Sequence, residues 1–187
     1  MRYGPEHKAQ TRERILEAAA RVFRRQGYAG TGIDAVMAEA GLTAGAFYAH
    51  FASKEALFAE IVPHALEQTS TLTGADFAEL QGPDWARAVA RRYLSKAHCN
   101  HVEKGCPLPP LLAEVSRSPA ARQAFEQKLQ ELLVKVADKL PGKEEEMLAL
   151  LSLLVGGMTL ARAVEDENVA TRILEACRQF IDTKCGR

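Results

Sequence analysis

The side chains with the most chemistry to offer lie together in Thr43-Ala44-Gly45-Ala46-Phe47-Tyr48-Ala49-His50-Phe51, followed by Ser53-Lys54. Hydroxyls, a phenol, an imidazole and an ammonium this close together are donors suited to phosphate oxygens. The small residues Ala44, Gly45 and Ala46 let backbone approach the floor of a groove closely, which suits nucleic acid better than a reaction centre. No Ser/His/Asp set, glycine-rich phosphate loop or metal cluster can be assembled elsewhere, so an enzyme is not expected. Cys99, His101 and Cys106 have no second ligand cluster, and no CxxC pair occurs, so neither metal nor cofactor is expected.

Helices must position these groups. Thr31-Gly32-Ile33-Asp34 has the spacing of a capping box and opens a short helix over 33–40, with Ile33, Val36 and Met37 on one face. Gly41 ends it, Leu42 turns inward, and Thr43 is a good N-cap for a second short helix over 44–50. Ala35 and Ala38 are small where the two could approach. Two short helices joined by a glycine turn form a helix-turn-helix pattern; the same text also fits a small helical corner with no ligand. A longer helix, 6–26, precedes the pair, with Ile15, Ala18, Ala19, Val22 and Phe23 as one apolar stripe and Gly27 at its end. Ser53 caps a fourth helix reaching about Thr71. A loop over 71–84 precedes helix five, 83–98. Cys106-Pro107 opens helix six and Ser118-Pro119 opens helix seven, which Pro141-Gly142 breaks. Helix eight, 143–165, is apolar nearly all round from Met147 to Val164, and helix nine spans 168–183. No strand pattern of useful length occurs, so the fold class is all-α.

The chain has 187 residues, 47% hydrophobic and 26% charged, with no net charge. Its charge is uneven: residues 1–54 hold eight Lys/Arg against five Asp/Glu, and the remainder carries the compensating acid. A basic head suits phosphate neutralisation. No apolar run approaches a membrane span and no signal-peptide core is visible, so a cytoplasmic location with reduced cysteines is expected.

Thr11-Arg12-Glu13-Arg14-Ile15-Leu16-Glu17-Ala18-Ala19, then Phe23, Gly27-Tyr28 and Thr31, then Ile33, Val36, Ala40-Gly41-Leu42-Thr43, Gly45, Phe47-Tyr48, His50-Phe51, Ser53-Lys54-Glu55 and Leu57 together resemble the TetR/AcrR repressor family over residues 11–61. The resemblance implies a nine-helix fold, with a helix-turn-helix DNA-binding domain over 1–53 and a helical ligand-binding and dimerisation domain over 54–187. It implies that Thr31 and Gly32 touch phosphate. Thr43, Ala44, Gly45 and Phe47 lie in or at the rim of the major groove, and Tyr48, His50 and Lys54 grip the backbone. Position 46 departs from the pattern, being Ala where many relatives carry Ser or Gly. Few side chains here could make bidentate base contacts, so sequence choice is expected to lean on thymine methyls, DNA shape and an arm carrying Arg2 and Lys8.

The resemblance further implies a homodimer through helices eight and nine, with Leu154, Gly156, Ile173, Cys177 and Phe180 at the interface. The two-sided apolarity of helix eight and the mid-helix Gly156-Gly157 favour the same reading; completion of a monomeric core is the competing one. A small-molecule pocket is expected among Trp85, Val89, Tyr93, His98, Leu111, Val115, Phe125, Leu129 and Met158, each of which also fits an ordinary core position. The functional expectation is a repressor released from operator DNA by a small-molecule effector. The alternative is a thiol-based sensor of electrophiles or oxidants. It uses Cys106, which the text places at a helix start beside Lys104, against the plain reading of a buried small hydrophobe.

Overall fold

The computed structural model describes residues 5–68 and 75–184. Arg2, the loop residues Thr71, Thr73 and Gly74, the side chain of Lys104, and Cys185 lie outside the described residues. The described elements are helical throughout: α1 (Pro5–Gln26), α2 (Ile33–Glu39), a 3₁₀ helix η1 (Ala44–Ala49), α3 (Lys54–Gln68), α4 (Gly82–Tyr93), α5 (Lys96–Asn100), α6 (Leu108–Val115), α7 (Pro119–Val136), α8 (Glu144–Arg162) and α9 (Glu167–Lys184), with short 3₁₀ turns at 75–77, 102–104 and 137–139. Among them no helix is long and apolar enough to cross a membrane. The expected helix over 83–98 is two helices: α4 stops at Tyr93, and the Ser95 side chain accepts from the His98 amide to start α5. A serine cap inside a helical pattern ends one element and opens another.

The chain forms two compact units, one of Met1–Gln68 with Pro110–Lys128, the other of Thr69–Pro109 with Leu129–Arg187. The expected boundary after residue 53 is therefore displaced, because α3 stays with the head. Its Leu57, Phe58 and Ile61 are buried in the same unit as the Ile15, Ala18, Val22 and Phe23 stripe, and Phe58 meets Phe23 edge-on at 5.9 Å. Arg12 and Glu60 pair between α1 and α3. Ser118 opens α7 as expected: its hydroxyl accepts from the Ala121 amide at 3.3 Å and donates to Glu55 Oε1 at 3.1 Å. Glu39 fastens α2 to α1 by accepting from Arg21 at 3.0 Å and Arg25 at 3.4 Å, and these bonds, led by Arg21, hold its carboxyl below the usual range.

In the second unit α4 packs on α8 and α9, which also pack on each other. Trp85, Val89 and Leu94 are buried in the same unit as Leu150, Leu154 and Met158 of α8 and Leu174 and Ile181 of α9. Of the two mid-helix glycines in α8, Gly157 is the one that close packing requires: a Cβ there would meet Cys177 Sγ at 2.7 Å and Leu94 at 3.3 Å, whereas Gly156 faces open space. Lys139 closes the turn over 77–80 by donating to the carbonyls of Phe77, Ala78 and Leu80.

The placement corrects one interface expectation. Leu154 is fully buried within a single chain, on the α8 face that also carries Leu150, Met158 and Ala161 at helical spacing. Leu154→Ala should therefore lower the unfolding free energy by about 2–5 kcal/mol through the cavity it leaves, measured by urea denaturation, with no dependence on protein concentration beyond that of the wild type.

Candidate nucleic-acid interface

The turn between α2 and η1 is built by backbone hydrogen bonds. Gly41 has φ 65°, the left-handed conformation that glycine adopts without strain. Its amide bonds the Ala38 carbonyl at 3.0 Å and the Leu42 amide reaches Met37 O at 2.9 Å, the paired bonds of a Schellman ending. Arg14 of α1 donates to the Ala40 carbonyl at 2.8 Å, which ties this turn to the first helix. The second helix of the pair is 3₁₀ rather than α. It is six residues long and contains Gly45, so it gains little from helix propensity and takes the tighter form used in short pieces.

Two cap expectations are corrected. Thr31 does not form a capping box; it is 1% exposed and its hydroxyl donates to Gly27 O at 2.7 Å, so Gly32 becomes the N-cap of α2. The Thr31 hydroxyl is thereby taken out of the set of phosphate donors. Thr43 is the N-cap of η1 by position, but its side chain makes no capping bond. Ser53 does cap α3, accepting from the Ala56 amide at 3.0 Å.

Six of the nine expected residues, Thr31, Gly32, Ala44, Gly45, Tyr48 and Lys54, come together around one open concavity of about 640 Å³, with Asp34 as the carboxylate in its lining. Thr43, Ala44 and Gly45 are exposed, and Tyr48 is 67% exposed. Phe47 is not a groove residue. It is 0% exposed and packs against Phe51 at 5.7 Å, so its side chain anchors η1 from beneath while Tyr48 points out. Along a short helix, neighbouring residues point in different directions, and the motif alone did not say which of the two aromatics faces inward. His50 is half-buried, and its Nδ1 is buried without a hydrogen-bond partner. Burial first, then the charges of Lys8, Arg12 and His7, push its pKa down. Lys54 lies over the Tyr28 ring, a contact the sequence reading missed.

The expected effector and thiol residues fall in both units. In the first, Leu111 and Val115 are buried and Phe125 is half-buried. In the second, Trp85, Val89, Tyr93 and Met158 are buried and Leu129 is half-buried. Two concavities of that unit lie elsewhere, one along α8 and α9 and one between the end of α7 and the start of α8. What the end of α4, α5 and α8 do bring together is a polar cluster. His98 Nδ1 lies 2.6 Å from the Tyr93 carbonyl, and His98 Nε2 accepts from the Cys106 amide at 3.0 Å. The carbonyl can only accept, so the proton sits on Nδ1 and the ring is neutral. Arg162 of α8 donates to the carbonyls of His98 and Cys99 at 2.6 and 3.1 Å. Gly105 fits against this ring: a Cβ there would lie 2.6 Å from it. Cys106 is 4% exposed. Burial, then the Cys106 thiol, raises the Tyr93 phenol.

Burial pushes the His98 pKa down, the hydrogen bond to the Tyr93 carbonyl offsets part of this, and the Arg162 charge lowers it further. The folded-state pKa thus lies below the unfolded value of about 6.5, so the stability due to neutral His98 is complete above that pH and lost as pH falls toward the folded-state pKa. Urea midpoints measured from pH 7 to pH 5 should fall less steeply in His98→Gln than in the wild type; parallel profiles would remove His98 from the acid response.

Residues 15–61 match the family model of bacterial regulatory proteins, tetR family. The chain is 31% identical over 133 residues to the HTH-type transcriptional regulator LmrA of Bacillus subtilis, covering 70% of this chain and 71% of that one. It is 27% identical over 173 residues to an uncharacterised HTH-type transcriptional regulator of Lactococcus lactis, covering 85% and 87%. Among solved structures, a TetR transcriptional regulator from Chloroflexus aurantiacus superposes with a TM-score of 0.73 at 25% identity, covering 95% of both chains.

Proposed function

Since the chain belongs to the tetR family of bacterial regulatory proteins, and so is a DNA-binding transcriptional regulator, we propose that it acts as a repressor, binding operator DNA as a homodimer and leaving it when a small-molecule effector binds. The observation that carries the DNA contact is the open concavity at the α2–η1 turn, where exposed backbone and small residues meet the exposed Tyr48 phenol and the Lys54 ammonium. In this reading Tyr48, Lys54 and the Gly32 backbone take phosphates, which fixes register. Thr43, Ala44 and Gly45 approach the base edges. The bare surface of η1 offers the groove shape and methyl contact rather than charged forks.

Dimerisation is supported by apolar side chains left on the outer faces of α8 and α9. Phe180 is 56% and Leu160 is 61% exposed. Phe180, Ala149, Leu150 and Leu153 line an apolar concavity of about 580 Å³ that Glu146 and Lys184 also border. A symmetric partner would cover these groups and set two recognition segments about 34 Å apart, one turn of DNA. Effector binding to a differently spaced dimer would then shift the population off the operator. Burial of Cys106 beneath His98 supports its reading as a core thiol rather than a reactive one.

Binding to duplexes from the DNA flanking the gene, followed by gel shift as salt is raised, tests the proposal. Lys54→Ala should weaken binding to all sequences and reduce the salt slope by about 1.8, the value of two phosphates neutralised, one per subunit of the dimer. An unchanged slope would withdraw Lys54 from the backbone. Tyr48→Ala should weaken binding with no change of slope, because the phenol carries no charge.

Phe180→Glu should give a monomer in sedimentation at micromolar concentration, with the helical signal kept because the side chain is exposed. A wild-type chain that sediments as a monomer would end the dimer reading.

A further inference from the structure

Lys54 begins α3 directly after the Ser53 cap, so its backbone is fixed and a flexible four-carbon stem carries its ammonium. Its ammonium lies 4.2 Å from the centroid of the Tyr28 ring. That ring is itself held: it tilts against Phe58 at 4.4 Å and meets Phe23 edge-on at 5.6 Å, so its free face looks at Lys54 and not at the core. Tyr28 belongs to the turn between α1 and α2, and Lys54 to the third helix, so the contact joins two elements of the head. Lys54 also lines the concavity that Tyr48, Gly32 and Gly45 share.

The choice of partner matters. A carboxylate could orient the ammonium too, but it would cancel the charge that a phosphate is to meet. A ring face attracts the cation through its quadrupole and leaves the charge intact. Glu114 of α6 is near enough to act on both groups. Burial pushes the Lys54 pKa down and Glu114 pulls it back up. The Tyr28 phenol is pushed up by burial, then by Glu55 and Glu114. The ammonium thus lies over the ring face and borders the concavity, within the field of Glu114.

We infer that Tyr28 is the positioning residue for Lys54, holding its ammonium at the concavity, ready for a backbone phosphate. The inference rests on the phosphate reading of Lys54 given above. It assigns Tyr28 no contact with DNA of its own, and it makes the ring rather than the hydroxyl the active part.

A double-mutant cycle tests it with a labelled random-sequence DNA duplex, since phosphate contacts do not depend on sequence. Tyr28→Leu should weaken binding about fivefold, the scale of a partly desolvated cation–ring contact. It should also flatten the salt dependence toward that of Lys54→Ala. Tyr28→Phe should bind within about twofold of the wild type, because the ring face stays. In a Lys54→Ala background, Tyr28→Leu should change affinity by less than about twofold, because the group it positions is gone. Tyr28→Met provides a second ringless side chain should the leucine variant fail to fold, and thermal melts establish which variants are folded. Equal losses from Tyr28→Leu in both backgrounds, or a Tyr28→Phe as weak as Tyr28→Leu, would overturn the positioning role while leaving Lys54 on phosphate. A Lys54→Ala variant with wild-type affinity and salt slope would instead overturn the phosphate reading, and the inference with it.

Discussion

Burial of the Phe47 side chain is the constraint on which the head depends. The segment from Ala44 to Ala49 is too short to be stable as a helix, and Gly45 weakens it further. Nothing in its own hydrogen bonding would hold it at one angle to α2. The Phe47 ring does so by entering the head core beside Phe51, while the backbone bonds of the Gly41 turn fix the point from which the segment leaves. Once that ring is inside, the residues around it have no choice of direction. Thr43, Ala44, Gly45 and Tyr48 point to solvent because Phe47 does not. A weak helix with one strong anchor thus presents a face of small residues, held at one angle by packing rather than by helix propensity.

Much of this was readable from sequence, and the reasons differ element by element. The α1 stripe was plain because Ile15, Ala18, Ala19, Val22 and Phe23 repeat at helical spacing over more than two turns. Ser53 and Ser118 were plain because a hydroxyl before a helix has one strong local use. Thr31 misled for the same reason. The capping-box spacing was present, but the hydroxyl donates to the Gly27 carbonyl, and which backbone group a threonine takes is not written in spacing. The direction of Phe47 was hidden because six residues are too few for periodicity to separate inside from outside. Tyr28 over Lys54 was hidden because their 26-residue separation has no local signature.

The second unit poses the opposite problem, since its apolar residues are so plentiful that periodicity could not rank them. Leu154 and Phe180 looked alike as text, yet one is fully buried within its own chain and the other stands in solvent. The His98 cluster was also illegible. Its order comes from two hydrogen bonds to backbone groups, the Tyr93 carbonyl and the Cys106 amide, and from Arg162, some sixty residues further on, capping the end of α5. The groups that interact there are main chain, which every residue carries. No residue type advertises them.

The crossing of α8 and α9 at Gly157 and Cys177 has a consequence for how this chain can diverge. The sulfur occupies the space a methyl group would need, so the two positions share one fixed volume. An alanine at 157 requires the Cys177 sulfur to turn aside or to be absent, and a bulkier residue at 177 presses on the same space. Homologues should therefore vary these two sites together, since a gain of volume at one is accommodated most easily by a loss at the other.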